Sequence, residues 1–193
     1  EKIERPAMLD HFVLPLPPPR MPSGTELDEL AARVAQAKRP LLSLGRGATR
    51  AGAAVAKLLD LGFCMVSSGN GRGTVAEDDP RNMGALTGNG VPMIPEFYKN
   101  VDLLLVVGCR LRGHETNEFA LKLPENIVQI DSDPMANGRT YRSNYFVCGD
   151  ADATLQALLP RIEGRLQVAA GYQDEFRALK QAAQRDFIGT LGV

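Results

Sequence analysis

Apolar residues along this chain follow two rhythms. Short, nearly continuous runs recur: Pro40-Leu-Leu-Ser-Leu44, Phe63-Cys-Met-Val-Ser67, Val101-Asp-Leu-Leu-Leu-Val-Val107, Asn126-Ile-Val-Gln-Ile130 and Tyr145-Phe-Val-Cys148. Runs of that length without polar alternation predict strands buried on both faces. The stretches between them carry helical spacing. Ser23 and Glu26 form a capping-box pair ahead of Leu27, Leu30, Ala31, Val34 and Ala35. They predict a helix over 24–38, closed by Lys38-Arg39 and stopped by Pro40. Residues 51–61 read as helix ending at Gly62, and 91–100 and 151–162 are also helical in pattern. Residues 172–188 are amphipathic, with Phe176, Leu179, Ala183 and Phe187 on one face. Buried strands alternating with helices predict an α/β fold: a Rossmann-like doubly wound parallel sheet of about five to six strands, helices on both faces.

The ends read differently. Six of the thirteen prolines fall within the first 22 residues. That density blocks helix and favours extended chain. Residues 1–22 therefore read as a linker whose Met8, Leu9, Phe12, Val13, Leu14 and Leu16 lie on a surface. The compact unit is expected over 23–165, with 166–193 as an outgoing helical linker. The first residue is Glu1 rather than Met, which suits a piece of a longer protein.

Composition narrows the function. Twenty-two Lys and Arg against 23 Asp and Glu give a net charge of −1, without the basic footprint of a nucleic-acid binder. No apolar run approaches the roughly 20 residues that span a bilayer, and no signal peptide is visible, so a cytoplasmic protein with no membrane partner is expected. Cys64, Cys109 and Cys148 lack metal spacing and sit in or beside apolar runs, so they read as buried thiols. His11 and His114 lack a ligand partner at helical spacing and read as surface residues. No metal site is expected.

Candidate chemistry gathers where the strands end. In an open α/β sheet, ligands bind beyond the carboxyl ends of the strands. Here those ends carry Gly45-Arg46-Gly47, Gly69 to Gly73, Gly108-Cys109-Arg110, Asp131-Ser132-Asp133 and Gly149-Asp150. Glycine lets backbone approach a ligand, and arginine offers a planar fork for phosphate. Eight of sixteen arginines lie in or near these loops: Arg46, Arg50, Arg72, Arg81, Arg110, Arg112, Arg139 and Arg142. A phosphate-bearing ligand such as a dinucleotide fits this bias, although turns need glycine and surfaces need charge in any protein. The standard NAD fingerprint fits poorly. Arg50 stands where its third glycine belongs, and the second strand ends in Ser67-Ser68 where an acidic residue would meet the ribose. No Walker lysine motif and no nucleophile elbow occur. Asp131 and Asp133 could grip a ribose or a cation, while Asp133-Pro134 could equally start a turn. Asp78-Asp79-Pro80 reads as a solvated turn.

The ordered set of these pieces resembles the central domain of thiamine-diphosphate-dependent enzymes, in the acetolactate-synthase-like branch. It comprises Lys38-Arg39-Pro40-Leu-Leu with Gly45-Arg46-Gly47, then Val101 to Gly108 with Arg110, then Ile130-Asp131-Ser132-Asp133-Pro134, then Gly149-Asp150-Ala151 before a leucine-rich helix. The resemblance spans about residues 38–162 and implies a non-catalytic scaffold domain, flanked in its parent by pyrimidine- and diphosphate-binding domains. It implies FAD, ADP or nothing in the crevice. Thiamine diphosphate and magnesium belong to the parent, a transferase or lyase of 2-keto acids or similar substrates. The expected cofactor-binding residues are Gly45, Arg46, Gly47, Gly108, Arg110, Asp131, Asp133 and Asp150, with no catalytic residue in this chain. The family's Gly-Asp-Gly motif is not matched, because Ala151 follows Asp150. The parent is expected to be a homo-oligomer and the isolated chain a weak dimer. A free-standing nucleotide-binding or electron-transfer module of similar fold, and a purely structural domain, are the competing readings.

Overall fold

The computed structural model describes residues 18–85 and 97–190, with side chains to 186. Its six strands are β1 (Pro40–Leu44), β2 (Cys64–Ser67), β3 (Asn82–Ala85), β4 (Leu103–Val107), β5 (Ile127–Asp131) and β6 (Tyr145–Cys148). They form one sheet in the order β3-β2-β1-β4-β5-β6, and every pairing is parallel. Its helices are α1 (Gly24–Ala35), α2 (Gly52–Asp60), α3 (Ala151–Ile162) and α4 (Tyr172–Thr190). The strand order reverses between β1 and β4, which defines a doubly wound sheet and its switch point. Strand β3 was not predicted: Asn82-Met-Gly-Ala85 is too short and too glycine-rich to read as a strand. It gains its ladder only because β2 lies beside it.

Strand alternation divides the core into two layers. Leu103, Leu105 and Val107 of β4 face α1, α2 and α3 together with Leu42 and Leu44. Leu104 and Val106 face the other way, with Leu41, Cys64 and Val66. That second layer receives Phe97, Tyr98, Tyr172 and Phe176. Both faces are covered, as continuous apolar strands require. Of the helix expected over 91–100, residues 91–96 lie outside the described residues, and Phe97 and Tyr98 are helical.

Local signals set the element ends. The Ser23–Glu26 capping box forms, with the Glu26 amide donating to Ser23 Oγ at 3.2 Å. Helix α1 stops at Ala35, earlier than expected. The reason is Asp102, whose carboxylate accepts the Lys38 amide at 2.6 Å and the Arg39 amide at 2.9 Å. That pair of bonds ties the start of β1 to the start of β4. Gly62 ends the α2 turn at φ +112°, a conformation available to glycine. The connections from β4 to β5 and from β5 to β6 carry single 3-10 turns, at Gly113–Glu115 and Pro134–Ala136, rather than α-helices.

The compact unit does not end at 165. Ala169 donates to the Lys38 carbonyl at 2.8 Å, and Gln173 Nε2 donates to the Leu59 and Phe63 carbonyls at 2.7 and 2.8 Å. Tyr172 and Phe176 are fully buried, because the apolar underside of the sheet has to be covered by something. The face predicted for α4 is real for Phe176, with Leu179 and Ala183 half-buried, while the Phe187 side chain lies outside the described residues. Lys180 Nζ donates to the Glu77 and Asp79 carbonyls at 2.5 and 2.7 Å, and burial holds its pKa below the usual lysine range. Of the amino-terminal linker, only 18–22 is described: it has no regular structure, and its Arg20 carbonyl accepts the Asp150 amide at 2.8 Å. The packing expected of Met8 to Leu16 lies outside the described residues.

The 76–81 turn also departs from expectation. Asp78 is exposed, but Asp79 is not a solvated carboxylate. Arg81 donates to it at 3.0 and 2.8 Å and also reaches Asp60 at 2.7 Å. The Arg81 side chain thereby lowers the Asp79 pKa below its ordinary 3.8. A depressed carboxyl pKa stabilises the fold fully above the unfolded value and loses that contribution as pH falls through the folded one. Thermal melts of Asp79→Asn and wild type should therefore differ at neutral pH, by about 1 kcal/mol for a part-buried pair. The gap between the two melts should shrink as pH falls below 3.8 and through the lower folded value. A gap that stayed constant down the acid range would refute the ionic origin.

Candidate functional site at the sheet switch point

The carboxyl ends of β1, β2, β4 and β5 open onto a crevice of about 530 Å³. Its floor is made by backbone packed against backbone. A Cβ on Gly45 would stand 2.2 Å from the Gly108 carbonyl oxygen, and one on Gly47 would stand 2.8 Å from Gly108 Cα. Gly47 donates to the Gly108 carbonyl at 3.1 Å, and Gly45 to the Val107 carbonyl at 3.0 Å. These glycines are needed first to lock the β1 and β4 loops together across the switch point. Their close approach is to each other as much as to any ligand.

The charged side chains stand above that floor. From the β1 and β2 side come Arg46, Arg50, Ser68 and Asn70. From the β4 and β5 side come Arg110, Arg112, Glu115, Asp131 and Asp133. Arg46, Arg50 and Arg112 are exposed and make no ion pair with a described residue. Arg110 sits 3.6 Å from an Asp133 carboxylate oxygen, and Arg139 lies 4.0 Å from the same oxygen. Asp131 accepts the Asp133 amide at 2.9 Å, and Asp133 accepts the Met135 amide at 2.9 Å. The turn reading of Asp133 is thus realised, with its second oxygen left for the arginines. Glu115 holds the Arg112 amide at 2.5 Å.

Seven of the eight residues expected to bind a cofactor line this crevice: Gly45, Arg46, Gly47, Gly108, Arg110, Asp131 and Asp133. Asp150 does not. Its carboxylate accepts the Ala153 amide at 3.0 Å and caps α3. A capping aspartate ahead of a leucine-rich helix is visible in sequence, and that chemistry claims the residue. The arginine bias also divides. Arg72 is bound to Glu77 at 2.6 Å and Arg81 to Asp79 and Asp60, so both serve structure. Ser68, Asn70, Glu115 and Ser132 line the crevice without having been singled out, because short polar residues at strand ends carry no distinctive spacing. Leu111 is held at φ +48° and Asn117, Glu118 and Phe119 at +50 to +66°, an unusual left-handed loop beside the crevice.

The three thiols are buried and free. Burial pushes Cys64 up to about 12 and Cys109 up to about 11, so neither supplies a thiolate at neutral pH. His114 is exposed, and His11 lies outside the described residues. Among the described residues no group of three His, Cys, Asp or Glu could hold a metal, and no helix is long and apolar enough to cross a membrane.

A parallel sheet in this strand order, with a crevice at its switch point, defines a doubly wound domain of the dinucleotide-fold class. The chain belongs to the family described as thiamine pyrophosphate enzyme, central domain, which it matches over residues 27–158. A probable chloroplastic acetolactate synthase 2 of Oryza sativa is 27% identical over 184 residues, covering 94% of this chain and 28% of its own length. A probable 2-ketoarginine decarboxylase of Pseudomonas aeruginosa is 35% identical over 145 residues, covering 74% of this chain and 25% of its own length. A trihydroxycyclohexane-dione hydrolase of Shouchella clausii is 29% identical over 166 residues, covering 84% of this chain and 25% of its own length. The chain spans about a quarter of the length of these relatives.

Proposed function

We propose that this chain is the non-catalytic central domain of a thiamine-diphosphate-dependent enzyme acting on 2-keto acids or similar substrates. In this reading the crevice binds the diphosphate of FAD or ADP. The family supports the first part, and the fraction of each relative covered leaves room for flanking catalytic domains. Those domains would supply the groups that anchor thiamine diphosphate and its magnesium, because this chain's residues do not fit them. The near match to a diphosphate motif, Gly149-Asp150-Ala151, commits its carboxylate to the α3 cap.

The crevice reading rests on one observation: among the described residues four arginines line it, and three of them make no ion pair with a described residue. Guanidinium forks and the amides of the switch-point loops suit a diphosphate, and Asp131 suits a ribose or adenine donor. Calorimetric titration of ADP, FAD and thiamine diphosphate into the chain tests this. ADP or FAD should bind saturably, and Arg46→Ala with Arg110→Ala should weaken that binding at least about tenfold. Thiamine diphosphate should give no saturable heat. Unchanged ADP and FAD affinity in the double variant would remove the ligand from this crevice.

A further inference from the structure

The crevice is electrically lopsided. Among the described residues, every carboxylate lining it, Glu115, Asp131 and Asp133, comes from the loops after β4 and β5. The half formed by β1 and β2 contributes Arg46, Arg50, Ser68 and Asn70 and, among the described residues, no carboxylate. The turns at 46–48 and 69–71, which carry Arg46 and Asn70 and adjoin Arg50 and Ser68, pack against each other, so they present one continuous rim. Both guanidinium groups are exposed and make no ion pair with a described residue, and the Asn70 amide makes no hydrogen bond to one. A ligand anion there would displace no partner among the described residues. On the opposite half, Arg110 already faces Asp133 at 3.6 Å.

In doubly wound folds the adenosine ribose lies beside the end of the second strand. A carboxylate there accepts hydrogen bonds from its free hydroxyls, whereas an arginine there donates to a phosphate on the ribose. Strand β2 ends at Ser67 with Ser68 directly after it, and Arg50 stands in the position of a third fingerprint glycine. A carboxylate near a phosphate would repel it, and this rim has none among the described residues. The carboxylates across the crevice would repel the same phosphate and so fix which way the ligand lies.

We infer that the crevice selects an adenine nucleotide carrying a phosphomonoester on its ribose over the same nucleotide with a free ribose. The inference rests on nucleotide binding at this site, as proposed above. Among the adenine nucleotides the crevice would take, it ranks those phosphorylated at the ribose 2′ or 3′ position above the free-ribose ones such as ADP and FAD, with Arg50 as the selecting residue and Ser68 and Asn70 as neutral donors.

Two matched pairs of probes test it, each pair differing by one ribose phosphate: NADP against NAD, and adenosine 3′,5′-bisphosphate against AMP. At least one phosphorylated member should bind about tenfold more tightly than its partner, the worth of one charge-assisted hydrogen bond. The pair that shows the preference identifies whether the phosphate sits at the 2′ or the 3′ position. Arg50→Ala should reduce that ratio to about one while the protein melts as wild type does. Arg110→Ala, across the crevice, should weaken both members of the pair and leave their ratio unchanged. A ratio that survives Arg50→Ala would overturn the assignment, as would equal binding within both pairs. In that last case measurable ADP or FAD binding leaves the nucleotide site standing, whereas no binding of any nucleotide removes the site itself.

Discussion

Gly108→Val should cost about 4 kcal/mol of stability, lowering the melting temperature by about 10 °C or more in a domain of this size. Two terms combine. Gly108 sits at φ +55°, where an L side chain costs about 1–2 kcal/mol. Its Cβ would also stand 2.5 Å from Gly47 Cα, 2.6 Å from the Gly47 carbonyl carbon and 2.8 Å from the Ala48 nitrogen. Backbone cannot rotate away as a side chain can, so relief means separating the β1 and β4 loops, and overpacking of that kind costs about 1–3 kcal/mol. Gly138→Val separates the two terms. Gly138 has φ +68°, and no atom lies within 4 Å of the place a Cβ would occupy, so only the conformational cost applies there. Urea melts of the two variants should therefore differ by about 2 kcal/mol. Equal melts would mean that the switch-point floor is not the tight backbone contact described.

Tyr172→Ala should destabilise the protein by about 3–5 kcal/mol, the range for deleting a buried aromatic ring. The ring is fully buried, with the Phe97 ring stacked at 5.7 Å and the Arg39 guanidinium 4.9 Å from its centre. Its hydroxyl donates to the Pro40 carbonyl at 3.1 Å, the first residue of β1. Burial holds the phenol neutral at any ordinary pH, so this bond is insensitive to pH in the working range. Tyr172→Phe keeps the ring and removes only the hydrogen bond, which should cost about 1 kcal/mol. If Tyr172→Ala melted like wild type, α4 would be the outlying linker that its sequence position suggests.

Much of the scaffold was legible residue by residue. Leu103 to Val107 reads as a buried strand, because five successive apolar residues bounded by Asp102 and Gly108 leave no face for water. Ser23 with Glu26 announces a helix start because a hydroxyl and a carboxylate three residues apart satisfy two amides that the helix leaves open. Strand ends rich in glycine and arginine marked the crevice, since an α/β sheet exposes its functional groups there. Asp150 caps α3 instead of lining the crevice; the same residue type both caps helices and contacts ribose, and sequence alone does not rank the two uses.

Local pattern thus determined the class of fold, five of the six strands, the Ser23–Glu26 cap of α1 and the end of the sheet on which any ligand would sit. These depend on short-range physics: side-chain periodicity, backbone propensity and the chemistry of turns. Tertiary structure alone decided the rest. It made a strand of Asn82–Ala85 by placing β2 beside it, and it ended α1 early by bringing Asp102 to the Lys38 and Arg39 amides across 64 and 63 residues. It turned α4 from a linker into a lid on the second core layer. It committed Arg72 and Arg81 to ion pairs while leaving Arg46, Arg50 and Arg112 facing the crevice. Each of these outcomes depends on which groups meet across long chain separations, and a contact between distant residues leaves no periodic trace in the sequence.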